Sequence, residues 1–444
     1  MTKALELLQS ITEKALKAGA DAADAVYAES TSMSTSCRMG KLEDVERSEG
    51  ADLGLRVLIG KRQANVSTTD LSTDTLDMMI ERAVAMAQIA PEDPFCGLAP
   101  QDRLLSSIPD LDLDDGSDPS AASLGERAQQ AEAAGLEVAG ITNSGGAGAS
   151  FGRGGVTLVT SHGFAGHYTG TSHSVSVSLL AGEGTAMERD YDYSSTRHLS
   201  ELTNAAEIGR SAGERTMRRL NPRKVPSQAA NVMYDPRVSG GLVGHFAGAI
   251  SGSSVARGTS FLKDKMGEAI FPTGVQIIDD PLRKRGLRSK PFDGEGLGNG
   301  LLNLVKDGAL QCWLLDCATA RQLDLESNGR ASRGIGGPPS PSTTNLYMEA
   351  GTRSRTDLLK DLGTGLYITE MIGMGVNGVT GDYSRGASGF WVENGELTFP
   401  VSEITVASNL KDMFMNLTAA DDLEFHYGTN APTVLVEGMT IAGS

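Results

Sequence analysis

Residues Val379 to Met413 read VTGDYSRGASGFWVENGELTFPVSEITVASNLKDM. Two strand-like runs flank Asn394-Gly395, a dipeptide favoured in two-residue hairpin turns because both central positions take positive φ. A polar, glycine-rich loop precedes them (Gly381, Asp382, Tyr383, Ser384, Arg385, Gly386), and Trp391, one of two tryptophans, lies in the first run. The segment predicts a strand-turn-strand unit in a β-rich setting.

Outward from this segment, strands punctuated by Pro and Gly dominate from residue 226 to the C-terminus, interrupted by helices near Val238–Ser251 and Leu358–Ile372. The run Asn221-Pro222-Arg223-Lys224-Val225-Pro226 marks the main domain boundary. Upstream, Ala4, Leu7, Leu8, Ile11, Ala15 and Ala18 recur at helical spacing until Gly19. Leu53, Leu55, Val57 and Ile59 alternate along a strand that turns at Gly60-Lys61 into a second run ending at Thr68. A helix follows over Leu76–Ala87. Residues 91–120 hold five prolines and an aspartate run, a connector. Another helix near Ser123–Ala134 leads to strands over Leu136–Ser144, Ala149–Thr160 and Gly163–Leu180, where Val175, Val177 and Leu179 alternate with serines as on one buried face of an antiparallel sheet. A helix over Ser200–Leu220 closes this part. The expected class is α+β: an N-terminal α+β unit (1–90), the connector (91–120), a second α+β segment with long antiparallel strands (121–225) and a β-rich C-terminal domain (226–444).

At 444 residues the chain is long enough for two or three domains. Its composition, 39% hydrophobic and 21% charged, is that of a globular protein, and 54 glycines with 5% aromatics fit a strand-rich fold with tight turns. A net charge of -17 repels phosphate backbones, which argues against direct nucleic-acid binding. Cys37, Cys96, Cys312 and Cys317 are too few for a disulfide framework and suit a reducing compartment. The opening residues lack the apolar core of a secretory signal, and no run of about 18 apolar residues occurs, so a cytoplasmic protein without a membrane span is expected.

Zinc peptidase chemistry ordinarily needs two imidazoles on one helix face and a glutamate to activate water. None of the six histidines precedes a glutamate; the helix over Val238–Ser251 holds His245 alone, followed by Phe246. His162, His167 and His173 lie closer together, but no carboxylate or Cys adjoins them in sequence. Asp110, Asp112, Asp114 and Asp115 miss the register of a calcium loop and read as a solvated acidic linker. Cys312 and Cys317 bracket an apolar run and read as packing groups in a buried strand. No G-x-S-x-G, GK[ST] or G-x-G-x-x-G pattern occurs. Arg283, Lys284, Arg285, Arg288 and Lys290 form a basic patch, read as a solvated loop or as a surface that attracts an acidic peptide. Arg257, Thr259 and Ser260, beside the His245 helix, together with Tyr383, Ser384 and Arg385, are candidates to line a groove that binds peptide backbone by strand addition.

The 379–413 segment closely resembles the signature of the PmbA (TldE) branch of the TldD/PmbA family, peptidase-complex proteins also described as modulators of DNA gyrase. The resemblance continues through ARGTSFLKDKMGEAIFPTGVQIIDDPLRKRGL (Ala256–Leu287), the TARQL and SNGRASR motifs between Trp313 and Arg333, and Leu359–Met371. It implies an α+β protein with a β-rich C-terminal domain. It also implies a TldD-like partner carrying a His-Glu…His helix and a downstream Cys around a catalytic zinc, the two chains enclosing a chamber for unfolded or extended peptides. In this chain that helix falls at about Leu242–Ser251 and the Cys near Thr380, a poor ligand for a soft site. By resemblance this chain has no metal or catalytic residue of its own, and His245, Arg257, Thr259, Ser260, Thr380, Asp382, Tyr383, Ser384 and Arg385 serve as peptide-groove or interface residues of a heterodimer. Two alternatives stand beside this: a self-sufficient metal-dependent peptidase homodimer using His162, His167 or His173, and a non-proteolytic regulator of a topoisomerase or toxin–antitoxin system.

Overall fold

The structure is a computed structural model that describes residues 3–443. Its first half is organised around one antiparallel sheet of unusually long strands. In chain order come α1 (Lys3–Lys17), β1 (Ala22–Arg38), β2 (Lys41–Ile59), β3 (Arg62–Thr68), α2 (Thr73–Ile89), α3 (Ala121–Leu136), β4 (Ile141–Thr160), β5 (Ala165–Ala181), β6 (Glu188–Thr196) and α4 (Ala205–Arg218). The sheet order is β3-β2-β1-β4-β5-β6, so strands from residues 1–90 and 121–225 share one sheet through the β1–β4 pairing. At about 3.3 Å per residue the 20-residue β4 spans roughly 65 Å.

Side-chain alternation divides the work of the two faces. Ala23, Ala25, Leu53, Leu55 and Val57 pack under α1 and α2 at one end of the sheet. Cys37, Ala147, Ala149, Val175, Val177 and Leu179 pack under α3 and α4 at the other. Val26 and Leu158 point the opposite way and meet Phe164 and Phe292, which brings the C-terminal half against that face. Gly54 is required there, because a Cβ would stand 2.0 Å from the Ile335 carbonyl oxygen.

The connector is strapped down rather than solvated, which corrects the expectation of a free acidic linker. The Asp112 carboxylate meets Arg285, Asp114 meets Arg153 and Thr169, and Asp115 meets His173, Ser117 and the Leu199 N–H. Arg321 donates to the carbonyls of Phe95 and Leu98, tying the C-terminal half to the start of the connector. The partners lie far away in sequence, so composition alone could not reveal them. Deeper in the same contact, Asp24 is held between Arg56 and Arg333, all three buried.

The second half contains β7 (Gln228–Tyr234), α5 (Pro236–Ala249), α6 (Gly252–Ala256), β8 (Ile277–Asp280), β9 (Leu302–Lys306), β10 (Ala309–Leu310), α7 (Cys317–Gln322), β11 (Ala331–Ser332), β12 (Ser340–Pro341), β13 (Asn345–Met348), α8 (Arg355–Leu362), β14 (Gly365–Ile372), β15 (Asp382–Glu393), β16 (Glu396–Asn409), α9 (Leu410–Met415), β17 (Leu417–Ala419), β18 (Thr429–Asn430) and β19 (Val434–Ala442). The main sheet runs β16-β15-β14-β7-β19-β17, and β16 pairs again with β19, so five strands close into a ring. Alternate residues split cleanly. Val232, Tyr234, Leu366, Ile368, Trp391, Val434 and Val436 enter the large core shared with α5. Met233, Tyr367, Phe390, Val392 and Leu435 pack with Leu358 and Leu362 of α8. The Asn394-Gly395 turn has φ of 54° and 78°, the geometry its sequence predicts.

Two local expectations fail. The helix expected over Leu358–Ile372 ends at Leu362, where Gly363 takes φ 61°, and Gly365–Ile372 is a strand with β7 and β15 on either side. A short apolar run buried on both faces carries no period to separate helix from strand. Cys312 and Cys317 do not share a strand: Cys317 opens α7 behind a capping box of Asp316 and Thr319, and Cys312 is half-buried.

Candidate peptide-binding site

The junction of β7 and α5 is written locally in the sequence. Asp235 caps α5 by accepting from the Arg237 N–H at 3.0 Å, and Pro236 fills the first helical position, where no N–H is needed. One face of α5 drives Leu242, Val243 and Phe246 into the core. Phe246 is fully buried and meets Phe271 and Phe414 edge-on, with centroids 5.5 and 6.3 Å away. The opposite face carries Gly241, Gly244 and Gly248, all exposed, with nothing within 4 Å of where a Cβ would be. The result is a lane of bare helix backbone.

His245 stands at the border of that lane. Its ring lies 5.9 Å from the Tyr383 ring at 77°, and its Nε2 is buried without a hydrogen-bond partner among the described residues. Burial, and then the charge of Arg385, hold its pKa below the ordinary histidine value, so the imidazole is neutral near pH 7. Tyr383 is buried on β15, and desolvation raises its pKa against the opposing pull of Tyr234 and Arg385. Tyr234, at the end of β7, is raised well above the usual phenol range, first by burial and then by Tyr383; its hydroxyl donates to Met439 Sδ at 3.4 Å. The Arg385 Nε is also buried without a partner among the described residues. Together these groups set a neutral imidazole and a guanidinium over two buried phenols that stay protonated, and the imidazole and guanidinium are of a kind suited to holding amide and carboxylate groups.

The other candidates fall into two groups. Ser260 is buried and structural, its hydroxyl donating to the Ala249 carbonyl at 2.6 Å and accepting from the Leu262 N–H. The Phe261 N–H donates to the Gly378 carbonyl at 3.1 Å, which draws the Thr259-Ser260 segment to the loop before β15. Arg257, Thr259, Thr380, Asp382 and Ser384 are exposed. The Thr380 hydroxyl donates to Asp382 at 2.6 Å, and that bond with Asn409 lowers the Asp382 pKa. Strand addition at Tyr383–Arg385 is closed, because β16 pairs one edge through Val406–Ser408 while Gly375 and Val376 occupy the other. Tyr234 was not among the residues singled out from sequence, although the Tyr-Asp-Pro run that ends β7 and caps α5 carries a signal for it.

The three clustered histidines go separate ways. His162 Nδ1 lies 3.2 Å from the Ala99 carbonyl and His167 Nδ1 2.9 Å from the Thr157 hydroxyl. His173 Nε2 lies 3.0 Å from Asp115, a carboxylate that sequence proximity had not supplied. Among the described residues no group of three or more His, Cys, Asp or Glu side chains is arranged to hold a metal. At α5 the residues do not fit a catalytic zinc: one imidazole is present, Phe246 is in the core, and Thr380 bonds to Asp382.

The chain, a long-stranded sheet joined to a closed strand ring, belongs to the PmbA/TldD metallopeptidase family. Profiles described as PmbA/TldA metallopeptidase domain 1, central domain and C-terminal domain match residues 23–87, 114–220 and 227–443. The chain is 39% identical over 443 residues to Metalloprotease PmbA of Escherichia coli O157:H7, covering 99% of this chain and 96% of that one. It is 37% identical over 444 residues to the Metalloprotease PmbA homolog of Haemophilus influenzae, with the same coverage. Among solved structures, a putative modulator of DNA gyrase from Bacteroides thetaiotaomicron superposes with a TM-score of 0.91 at 26% identity, covering 100% of both chains. TldE from Thermococcus kodakarensis shares the fold, with a TM-score of 0.88 at 19% identity over 98% of this chain and 100% of that one. No helix among the described residues is long and apolar enough to cross a membrane.

Proposed function

We propose that this chain is the substrate-holding, non-catalytic subunit of a heteromeric cytosolic metallopeptidase that trims leader peptides and degrades small unfolded proteins, its zinc being held by a TldD-like partner. One observation carries the reading: where the family's catalytic branch resembles a His-Glu…His helix, α5 has a lone His245 and a Phe246 built into the core. The bare backbone lane of α5 and the unpartnered polar atoms of His245 and Arg385 support a role in holding extended peptide. Ile372 at the end of β14, with Met374 and Val379 in the loop before β15, presents exposed apolar surface, Met374 at 91%, and supports a protein partner that covers it.

The test is reconstitution. Zinc content and peptidase activity are measured on the chain alone, on a TldD-like chain alone and on their co-purified complex, with an unfolded protein as substrate. The complex is expected to cut, and the isolated chain to turn over no substrate. Stoichiometric zinc with turnover by the isolated chain would overturn the reading.

A further inference from the structure

A small cavity of about 140 Å³ lies where α4 of the first half meets the starts of α5 and α8, and it includes none of His245, Tyr383 and Arg385. Four arginines line it: Arg215 and Arg218 from the end of α4, Arg237 from the first turn of α5, and Arg355, the first residue of α8. At roughly 30 Å³ for each water the space holds about five, too little for a polypeptide segment.

Two of these cations are compensated and two are not. Arg237 pairs with Asp190 at 3.1 Å, and Arg215 reaches Asp192 at 3.5 Å. Arg218 and Arg355 form no ion pair or hydrogen bond among the described residues; each guanidinium instead lies over an aromatic ring, 4.8 Å from the centroid of Phe390 and 4.7 Å from that of Tyr367. Stacking uses the face of a guanidinium and leaves its in-plane N–H donors free. The two carboxylates on the wall are already engaged. Asp190 is shared with Arg219 at 3.7 Å, and Asp235 accepts from the Arg237 N–H at 3.0 Å and the Tyr367 hydroxyl at 2.5 Å. Thr369, also on the wall, falls at the register shift between β14 and β15, where a bulge takes one residue out of the ladder, and its hydroxyl has no partner among the described residues. On a chain of net charge -17, uncompensated guanidinium donors in a confined polar space are the chemistry that holds oxyanions.

We propose that this cavity binds a small, doubly charged oxyanion, a phosphate or phosphate-ester group, held by Arg218 from one half of the chain, Arg355 from the other and the Thr369 hydroxyl. Two free guanidiniums match two negative charges, and their forked donors suit phosphate oxygens, which favours phosphate over a single carboxylate. Occupancy ties α4 to the second half and stabilises the folded chain by mass action. The assignment requires no peptidase activity and stands whether or not a catalytic partner exists.

The full-length chain is titrated with inorganic phosphate by calorimetry and by thermal unfolding, against sodium chloride at matched ionic strength, with acetate as a single carboxylate and O-phosphoserine as a phosphate ester. Phosphate is expected to bind and to raise Tm with its concentration, and acetate to bind at least about tenfold more weakly. Tighter binding of O-phosphoserine than of phosphate assigns the site to an esterified group, and the reverse order to the free ion. Arg218→Gln and Arg355→Gln are each expected to weaken phosphate binding by about tenfold, the size of one lost charge-assisted contact. Unfolding without phosphate reports whether the variants fold, and Arg218→Gln alone, at an exposed position, keeps the test decisive if the double variant does not. A phosphate response no larger than that to chloride, equal binding of acetate, or unchanged phosphate affinity in the folded variants overturns the proposal.

Discussion

Phe246 follows His245 on α5 and is enclosed by Phe271 and Phe414, which leaves no room for a water-activating carboxylate at that position. Carboxylates are buried elsewhere, and there their effect depends on pH. Glu295 is 3% exposed and receives the Cys317 N–H at 2.8 Å. Burial, and next the neighbouring charges of Asp293 and Asp316, push its pKa up to about 7. A carboxyl with a folded pKa above its unfolded value binds more protons in the folded state, so stability falls as pH rises from about 4.5 toward 7 and then levels off. Asp24 has the opposite sign: despite burial, Arg333 and Arg56 lower its pKa, so its contribution is lost only below the ordinary carboxylate range. Glu295→Gln, which keeps an acceptor for Cys317, is therefore expected to match the parent near pH 4 and to exceed it in stability near pH 8. Urea unfolding at both pH values checks this; parallel stability profiles for the two proteins would sink it.

At the scale of elements, α5 combines a core-facing apolar stripe with an outer face of glycines that helix energetics alone would not choose. Each glycine in an exposed helix interior costs about 0.5–1 kcal/mol relative to alanine. Gly244 has no atom within 4 Å of a would-be Cβ, so Gly244→Ala is expected to stabilise the chain by about that amount. If the lane holds peptide, the same methyl group should slow peptide cutting by a reconstituted complex, an opposition of stability and function. Thermal unfolding together with peptidase rates decides the matter: a stabilised variant with unchanged cutting would remove the lane from substrate binding. The α5 helix was legible near Val238–Ser251, within two residues of its observed bounds Pro236–Ala249, as were the Asn394-Gly395 turn and the alternation of Val175, Val177 and Leu179. The strand Gly365–Ile372 was not, because burial on both faces erases period. Nor was the meeting of His245 with Tyr383 and Tyr234, which depends on strand pairings spanning well over a hundred residues.

At the scale of the whole molecule, the proposed pairing with a TldD-like chain is testable at the exposed apolar surface of Ile372, Met374 and Val379. Met374 is 91% exposed in the loop with Val379, next to Ile372 at the end of β14, and helix α9 adds Met415 at 46%. Burying a side chain of methionine size contributes roughly 1.5–3 kcal/mol, and an unbranched thioether adapts readily to a partner surface. Met374→Glu removes that contribution and places a charge in the contact, while the side chain touches little of its own fold. The variant is expected to unfold within about 0.5 kcal/mol of the parent, as surface substitutions do. Its affinity for a TldD-like chain is expected to fall at least about tenfold, since 1.4 kcal/mol suffices for that factor. Loss of peptidase activity should follow and be restored by raising the concentration of the variant, because the catalytic machinery and the α5 lane are untouched. Equal affinity of parent and variant, measured by analytical ultracentrifugation or calorimetry, would place the partner elsewhere on the surface.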